Sequence, residues 1–268
     1  MSFDSEALLA WYERVRRPLP WRATRDPYAL LVSEVMLQQT QAARVVPYYQ
    51  AFLERFPDPA ALAAAPAADV LAAWSGLGYN RRALALALQR AAAAVEAHGW
   101  PEDLAQLPGV GPYTAAAVAS FAWHHQAAAV DTNVRRVISR HDGDAHAPRA
   151  LAGRAAALMP AGRAAPFNQA MMELGATVCR PRRPRCGGCP VRAGCASVGR
   201  EPAPPASPRG RRERFEDTDR WARGRIVAAL VAGEPPPSLD AARRVRAEAG
   251  LVRDGLAVRG AGGALRLP

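Results

Sequence analysis

The chain has 268 residues, half of them apolar, and carries 35 basic against 24 acidic side chains, a formal net charge of +11. That length and apolar content support one sizeable core with a small appendage, and no run of about eighteen apolar residues occurs, so a membrane partner is not expected. Every basic residue is arginine, whose rigid donor fork suits phosphate and points to nucleic acid, although a genome that favours arginine and alanine codons would produce the same composition.

From the N-terminus the chain turns charged and amphipathic where a secretory leader would need an apolar centre, so a soluble, intracellular protein is expected. Apolar residues recur at helical spacing from Ala7 to Val15 and from Tyr28 to Val46. In the second run Leu30, Leu31 and Leu37 stand at i−4, i−3 and i+3 from Glu34, which places this carboxyl on the apolar side. Desolvation there raises a carboxyl's pKa and lets it hold a proton near neutral pH, as a general acid must. An ion pair with a buried arginine is the alternative. Gln38, Gln39 and Thr40 follow, an amide-rich patch suited to base edges.

Helical periodicity returns over Ala60–Ala73 and Ala83–Val95, between punctuators such as Phe56-Pro57-Asp58-Pro59 and Gly76-Leu77-Gly78. Next comes Leu107-Pro-Gly-Val-Gly-Pro-Tyr-Thr114, with Gly109 and Gly111 where the backbone must turn and Pro112 suited to a helix's first turn. It reads as a helix-hairpin-helix whose free N–H groups, including that of Val110, and following helix dipole can hold a phosphate. As a bare pattern it also fits any helix-connecting turn.

Further helices are expected over Ala115–Ala122, Val134–Ser139 and Ala150–Leu158. Asp131 sits at the mouth of the second of these. It can serve as an N-cap, and its carboxylate can also stabilise an oxocarbenium-like sugar cation; the two roles are compatible. Strand-like alternation is nearly absent, so the fold class is all-α.

Cys179, Cys186, Cys189 and Cys195 follow the spacing C-x6-C-x2-C-x5-C. Four thiols within seventeen residues in a reducing compartment favour a metal centre over disulfides, and spacing alone leaves a four-thiolate zinc site and an iron–sulfur cluster both open. Thirteen arginines between Arg180 and Arg225 would give this region a cationic face for a DNA backbone. The proline-dense stretch that follows reads as an extended linker over 199–215. Residues 216–268 read either as a small winged-helix-like segment, with helices over Asp219–Val231 and Leu239–Ala249 and then the apolar pairs Leu256/Val258 and Leu265/Leu267, or as a frayed tail, since some fifty residues bury little core.

Taken together, these motifs resemble the helix-hairpin-helix superfamily of base-excision glycosylases, and within it the MutY adenine glycosylases. The resemblance runs from about Leu8 to Cys195. It rests on Leu19-Pro-Trp-Arg22, Ser33-Glu-Val-Met-Leu-Gln-Gln-Thr-Gln41, Trp74-Ser-Gly-Leu-Gly-Tyr79, Leu107–Gly111, Asp131-Thr-Asn133, Phe167-Asn-Gln-Ala-Met-Met-Glu-Leu-Gly175 and the cysteine loop.

The resemblance implies residues 1–198 as the glycosylase domain. A six-helix module would cover about 22–130, and the N-terminal helix with 131–198 would form a cluster module. Glu34 would protonate adenine N7, Asp131 would stabilise the cationic sugar or its covalent adduct, and Tyr113 and Asn133 would assist. Trp21, Arg22 and Glu173 would line the adenine pocket, and Leu37, Gln38, Gln39, Thr40 and Tyr79 would engage or wedge the duplex. The four cysteines would bind a [4Fe-4S] cluster. The implied partner is double-stranded DNA with a mispaired adenine, and the protein would act as a monomer in the cytoplasm, at the bacterial nucleoid.

Two features depart from the family pattern. Asn80 stands where a second tyrosine is common, and the sequence after Glu201 does not match the larger C-terminal domain that helps recognise 8-oxoguanine. The superfamily's strand-cutting members place a lysine after the hairpin, where this chain has Tyr113. With no lysine anywhere in the chain, base removal without efficient lyase activity is expected.

Overall fold

Alanine-rich stretches broken by proline and glycine fold, in the computed structural model, into helices joined by short turns. The structure describes residues 2–38, 40–74, 77, 82–200 and 214–268, with the backbone alone for 82–84. Gln39, Tyr79, Asn80 and most of the expected linker lie outside the described residues, and among the described residues no helix is long and apolar enough to cross a membrane. The chain divides into two units: Met1–Glu34, Asp103–Ala105 and Val110–Pro205 form the first, and Val35–Glu102, Gln106–Gly109 and Ala206–Pro268 the second.

In the first unit, α1 (Ser5–Val15) starts at Asp4, whose carboxylate accepts the Ala7 amide. After a 3-10 turn at Pro20–Arg22 comes α2 (Pro27–Leu37), which leads the chain into the second unit. α7 (Pro112–Trp123) begins at the hairpin, α8 (Thr132–Asp142) is capped by Asp131, and α9 (Pro148–Leu158) and α10 (Ala164–Thr177) follow. α10 packs against α1, α7 and α8, and Leu8, Tyr12, Ile138, Phe167, Met171 and Leu174 form the centre of this core. Gly175 is what lets α8 and α10 cross so closely: a Cβ there would lie 2.5 Å from the Asn133 Cβ, closer than any real contact.

In the second unit, α3 (Ala42–Arg55), α4 (Pro59–Ala64), α5 (Ala67–Ala73) and α6 (Arg82–His98) pack with α4 on α6, and Phe52 meets Trp74 edge to face. The Gln89 amide donates to the Leu62 and Ala65 carbonyls at the end of α4. The C-terminal residues add α11 (Asp219–Ala232), packed on α5 and on α12 (Ala241–Arg253), and an antiparallel hairpin of β1 (Val258–Arg259) with β2 (Leu265–Arg266). Arg243 reaches from α12 to the Glu216 and Thr218 carbonyls at the start of α11.

Three elements differ from the periodicity. The run expected over 28–46 is two helices, because the Thr40 amide closes a turn on the Leu37 carbonyl and Gln41 is extended before α3. The run over 60–73 breaks at Pro66, which holds Ala65 in an extended conformation. The periodic pattern contains no sign of α10. That helix is buried on several faces and carries the polar Asn168 and Glu173 in its interior, so no single apolar stripe stands out.

Candidate active site and cysteine cavity

Glu34 lies in α2 among Leu30, Leu31 and Val35, all buried, and is itself only 4 % exposed. Its partner is Tyr113, from the first turn of α7, whose hydroxyl donates to Glu34 Oε2 at 2.7 Å. Burial pushes the Glu34 carboxyl from 4.5 up to about 7; the Tyr113 hydrogen bond works against this, and the charge of Asp131 adds to it. Burial, reinforced by Glu34 and Asp131, likewise holds the Tyr113 phenol well above 10. Tyr113 is therefore a hydrogen-bond donor and Glu34 a carboxyl that is substantially protonated at neutral pH.

Asp131 is held from both sides. As N-cap of α8, its Oδ1 accepts the Val134 amide at 2.7 Å, and its Oδ2 accepts Asn133 Nδ2 at 2.8 Å. The two readings of Asp131 thus coexist: the cap fixes the carboxylate, and its charge still reaches Glu34 and Tyr113. Asn133 in turn accepts from Arg136, which also donates to the carbonyls of Gly175 and Cys179. A continuous line of hydrogen bonds therefore runs from Asp131 to the first cysteine.

The alternative of a buried Glu paired with arginine applies to Glu173. This carboxylate is fully buried in α10. Burial works to raise its pKa, but bonds from Arg17 (2.7 and 3.0 Å) and Arg22 (2.7 Å) outweigh it and hold the group below the usual range. Arg22 also lies over the Tyr12 ring, and Trp21 is buried beside it in the chain. Trp21, Arg22 and Glu173 belong to the same unit as Glu34, Tyr113 and Asp131.

Leu37 ends the helix that carries Glu34, and Gln38 and Thr40 form the turn after it, half-buried. In the hairpin Gly109 adopts φ 77°, and a Cβ there would strike Ala87 at 2.6 Å, so both its conformation and its space demand glycine. Val110 is buried, and Gly111 provides the extended N-cap from which Pro112 opens α7.

The four cysteines line one cavity of about 510 Å³, together with Arg136, Arg140, Arg192 and Arg200. Arg140 reaches the Cys179 thiol at 3.6 Å and the Arg180 and Pro181 carbonyls, which pins the start of the loop to α8. Burial, with the other cysteines' charges adding to it, pushes the Cys189 thiol up to about 11, so a bound cation would be needed to hold it as thiolate. Among the described residues no three His, Cys, Asp or Glu groups stand close enough to share a single ion. Four thiols lining one arginine-rich cavity fit a thiolate-held metal centre.

Sequence reasoning missed Arg17, Arg136 and Asn168. Arg136 is one turn beyond Asp131 on the helix it caps, and Asn168 lies inside the Phe167–Gly175 stretch, but their roles depend on a helix crossing that no local pattern encodes.

Comparison with known proteins matches residues 32–157 to the HhH-GPD superfamily base excision DNA repair protein family. The chain is similar to the adenine DNA glycosylase of Mycobacterium tuberculosis (strain ATCC 25618 / H37Rv), 45 % identical over 97 % of this chain and 92 % of that one. It is also similar to that of Mycolicibacterium smegmatis (strain ATCC 700084 / mc(2)155), 43 % identical over 100 % and 97 %. Among solved structures it resembles a thermostable thymine-DNA glycosylase, with a TM-score of 0.66 and 32 % identity over 72 % of this chain and 93 % of that one. With the helical body, the hairpin and the buried carboxyl, these likenesses place the chain among the adenine DNA glycosylases, N-glycosidic hydrolases of base excision repair within the HhH-GPD superfamily.

Proposed function

We propose that the chain is a monofunctional glycosylase that removes adenine mispaired with 8-oxoguanine or guanine in duplex DNA, acting as a monomer. The observation that carries this reading is the buried, Tyr113-bonded Glu34, poised near 7 within reach of the charge of the capped Asp131.

In this account the hairpin and the arginines hold the DNA backbone while adenine is flipped out, at a cost of a few kcal/mol that is lower for a mispair. Glu34 gives its proton to adenine N7, the C1′–N9 bond breaks with its electron pair passing to the base, and Asp131 stabilises the cation left on the sugar. Water then adds to C1′ and passes its proton to the Glu34 carboxylate left by the first step, which completes hydrolysis and restores the acid. Tyr113 orients Glu34, and Asn133 fixes Asp131. Trp21, Arg22 and Glu173 shape the base pocket; Leu37, Gln38, Gln39, Thr40 and Tyr79 face the duplex.

Cys179, Cys186, Cys189 and Cys195 are assigned to a [4Fe-4S] cluster. When bound it supplies iron–thiolate bonds that tie the loop together, and Arg136 and Arg140 hold that loop against α8. Residues 216–268 are read as a winged-helix-like unit.

The test is excision from four duplexes: A opposite 8-oxoguanine, A opposite G, T opposite G and U opposite G. Release of adenine from the first two supports the proposal. Release of only T or U would move the chain to the chemistry in the thymine-DNA glycosylase's name, and no release from any duplex would leave a DNA-binding protein.

A further inference from the structure

Asp131 is delivered by a stretch that is neither helix nor strand. α7 ends at His124 in a left-handed conformation (φ 58°), and the six residues from His125 to Val130 then lead to the cap of α8. Such a segment holds a carboxylate in place only if something else fixes its backbone. We propose that Asn168 does so: from α10 it acts as a positioning residue for Asp131, locking the approach segment and tying it to the helix that carries Tyr113.

The Asn168 side chain is 3 % exposed and has three partners. Its Oδ1 accepts the Ala129 amide at 3.1 Å, and its Nδ2 donates to the Ala127 carbonyl at 2.8 Å and to Ser120 Oγ at 3.0 Å. A carboxamide has the donor and acceptor of a peptide group, so it pairs with residues 127 and 129 as a neighbouring strand would. Val130 alone separates this clamp from Asp131. Ser120 belongs to α7 and donates onward to the Ala117 carbonyl, so one side chain sets the Asp131 segment against the scaffold of Tyr113.

This inference rests on the function proposed above, in which Asp131 must stay aligned with the group that Glu34 protonates. Misalignment of about 1 Å at a reacting centre can cost on the order of 10²-fold in rate. It also has an electrostatic signature. Glu34 is faced by two titratable groups, Tyr113 from α7 and Asp131 from the head of α8, and the charge of Asp131 helps to keep it protonated. A carboxylate that drifts away would let Glu34 ionise at lower pH.

The experiment compares wild type, Asn168→Ala and Ser120→Ala on duplexes with A opposite 8-oxoguanine or G, with single-turnover cleavage and DNA affinity measured across pH. Asn168→Ala is expected to keep its DNA affinity within about threefold, lose at least about tenfold in cleavage rate and shift the alkaline limb of its pH profile to lower pH. Ser120→Ala keeps both bonds to the segment but loses the tie to α7, and its rate should fall between those of wild type and Asn168→Ala.

Amide exchange on the wild-type protein supplies a reading independent of activity and of any variant's folding: the Ala129 N–H should exchange as slowly as the core helices. An Asn168→Ala profile that matches wild type in rate and alkaline limb, or a rapidly exchanging Ala129 amide, overturns the inference. Wild-type protein that releases no adenine counts instead against the function itself, and the exchange measurement still decides the clamp.

Discussion

Glu34 and Glu173 are both buried glutamates of the first unit, and what faces each sets its proton. Glu34 meets a neutral phenol and a second carboxylate, so burial wins and the acid form persists to about 7. Glu173 meets two guanidinium groups and stays ionised. Separated pKa values of this kind are how one site keeps an acid and an anion at the same pH.

For Glu34→Gln the account predicts a fall in excision of roughly 10²–10⁴-fold with DNA binding retained, measured by single-turnover cleavage beside a binding titration. The same variant should also affect stability. Since its folded-state pKa is raised, the contribution of Glu34 to stability is fully present below pH 4.5, and up to about 3 kcal/mol of it is lost as pH rises through 7. Thermal melts should therefore show Glu34→Gln to be the more stable protein above pH 7, with that advantage gone below pH 4.5.

At the scale of elements, α8 links the chemistry to the cysteine loop: its cap is Asp131, and its Arg136 and Arg140 hold the Cys179 to Pro181 backbone. Cys189→Ser is expected to abolish the visible absorption of an iron–sulfur cluster and to lower folding stability or DNA affinity more than the chemical step. Unchanged absorption would remove Cys189 from the ligand set.

Much of this scale was legible in the sequence. The leucines around Glu34 gave its burial, Asp131 before an apolar run gave the cap, and the close spacing of the four cysteines agrees with their lining one cavity. α10 was not legible, because a helix buried on several faces leaves no stripe. Nor were Arg17, Arg136 and Asn168, whose bonds to Glu173, Cys179 and Ala129 reach some 40 to 156 residues along the chain.

Across the whole molecule, composition sets a limit that no single site does. With 35 basic residues and no lysine among them, no side-chain amine is available for a Schiff base with the opened sugar. Purified protein should therefore leave intact strands with abasic sites, nicked no faster than the heat- or alkali-induced background. Faster nicking would contradict the monofunctional reading. The net charge of +11 fits a polyanionic partner, but only the geometry separates a glycosylase from a protein that merely binds DNA.

The most direct measurement is the titration of the Glu34 side chain itself, by carbon NMR of the selectively labelled protein, with Glu34→Gln to assign the signal. The account predicts a midpoint near 7. A midpoint in the ordinary range near 4.5 would mean that Glu34 is ionised when adenine arrives, and a general acid would have to be sought elsewhere.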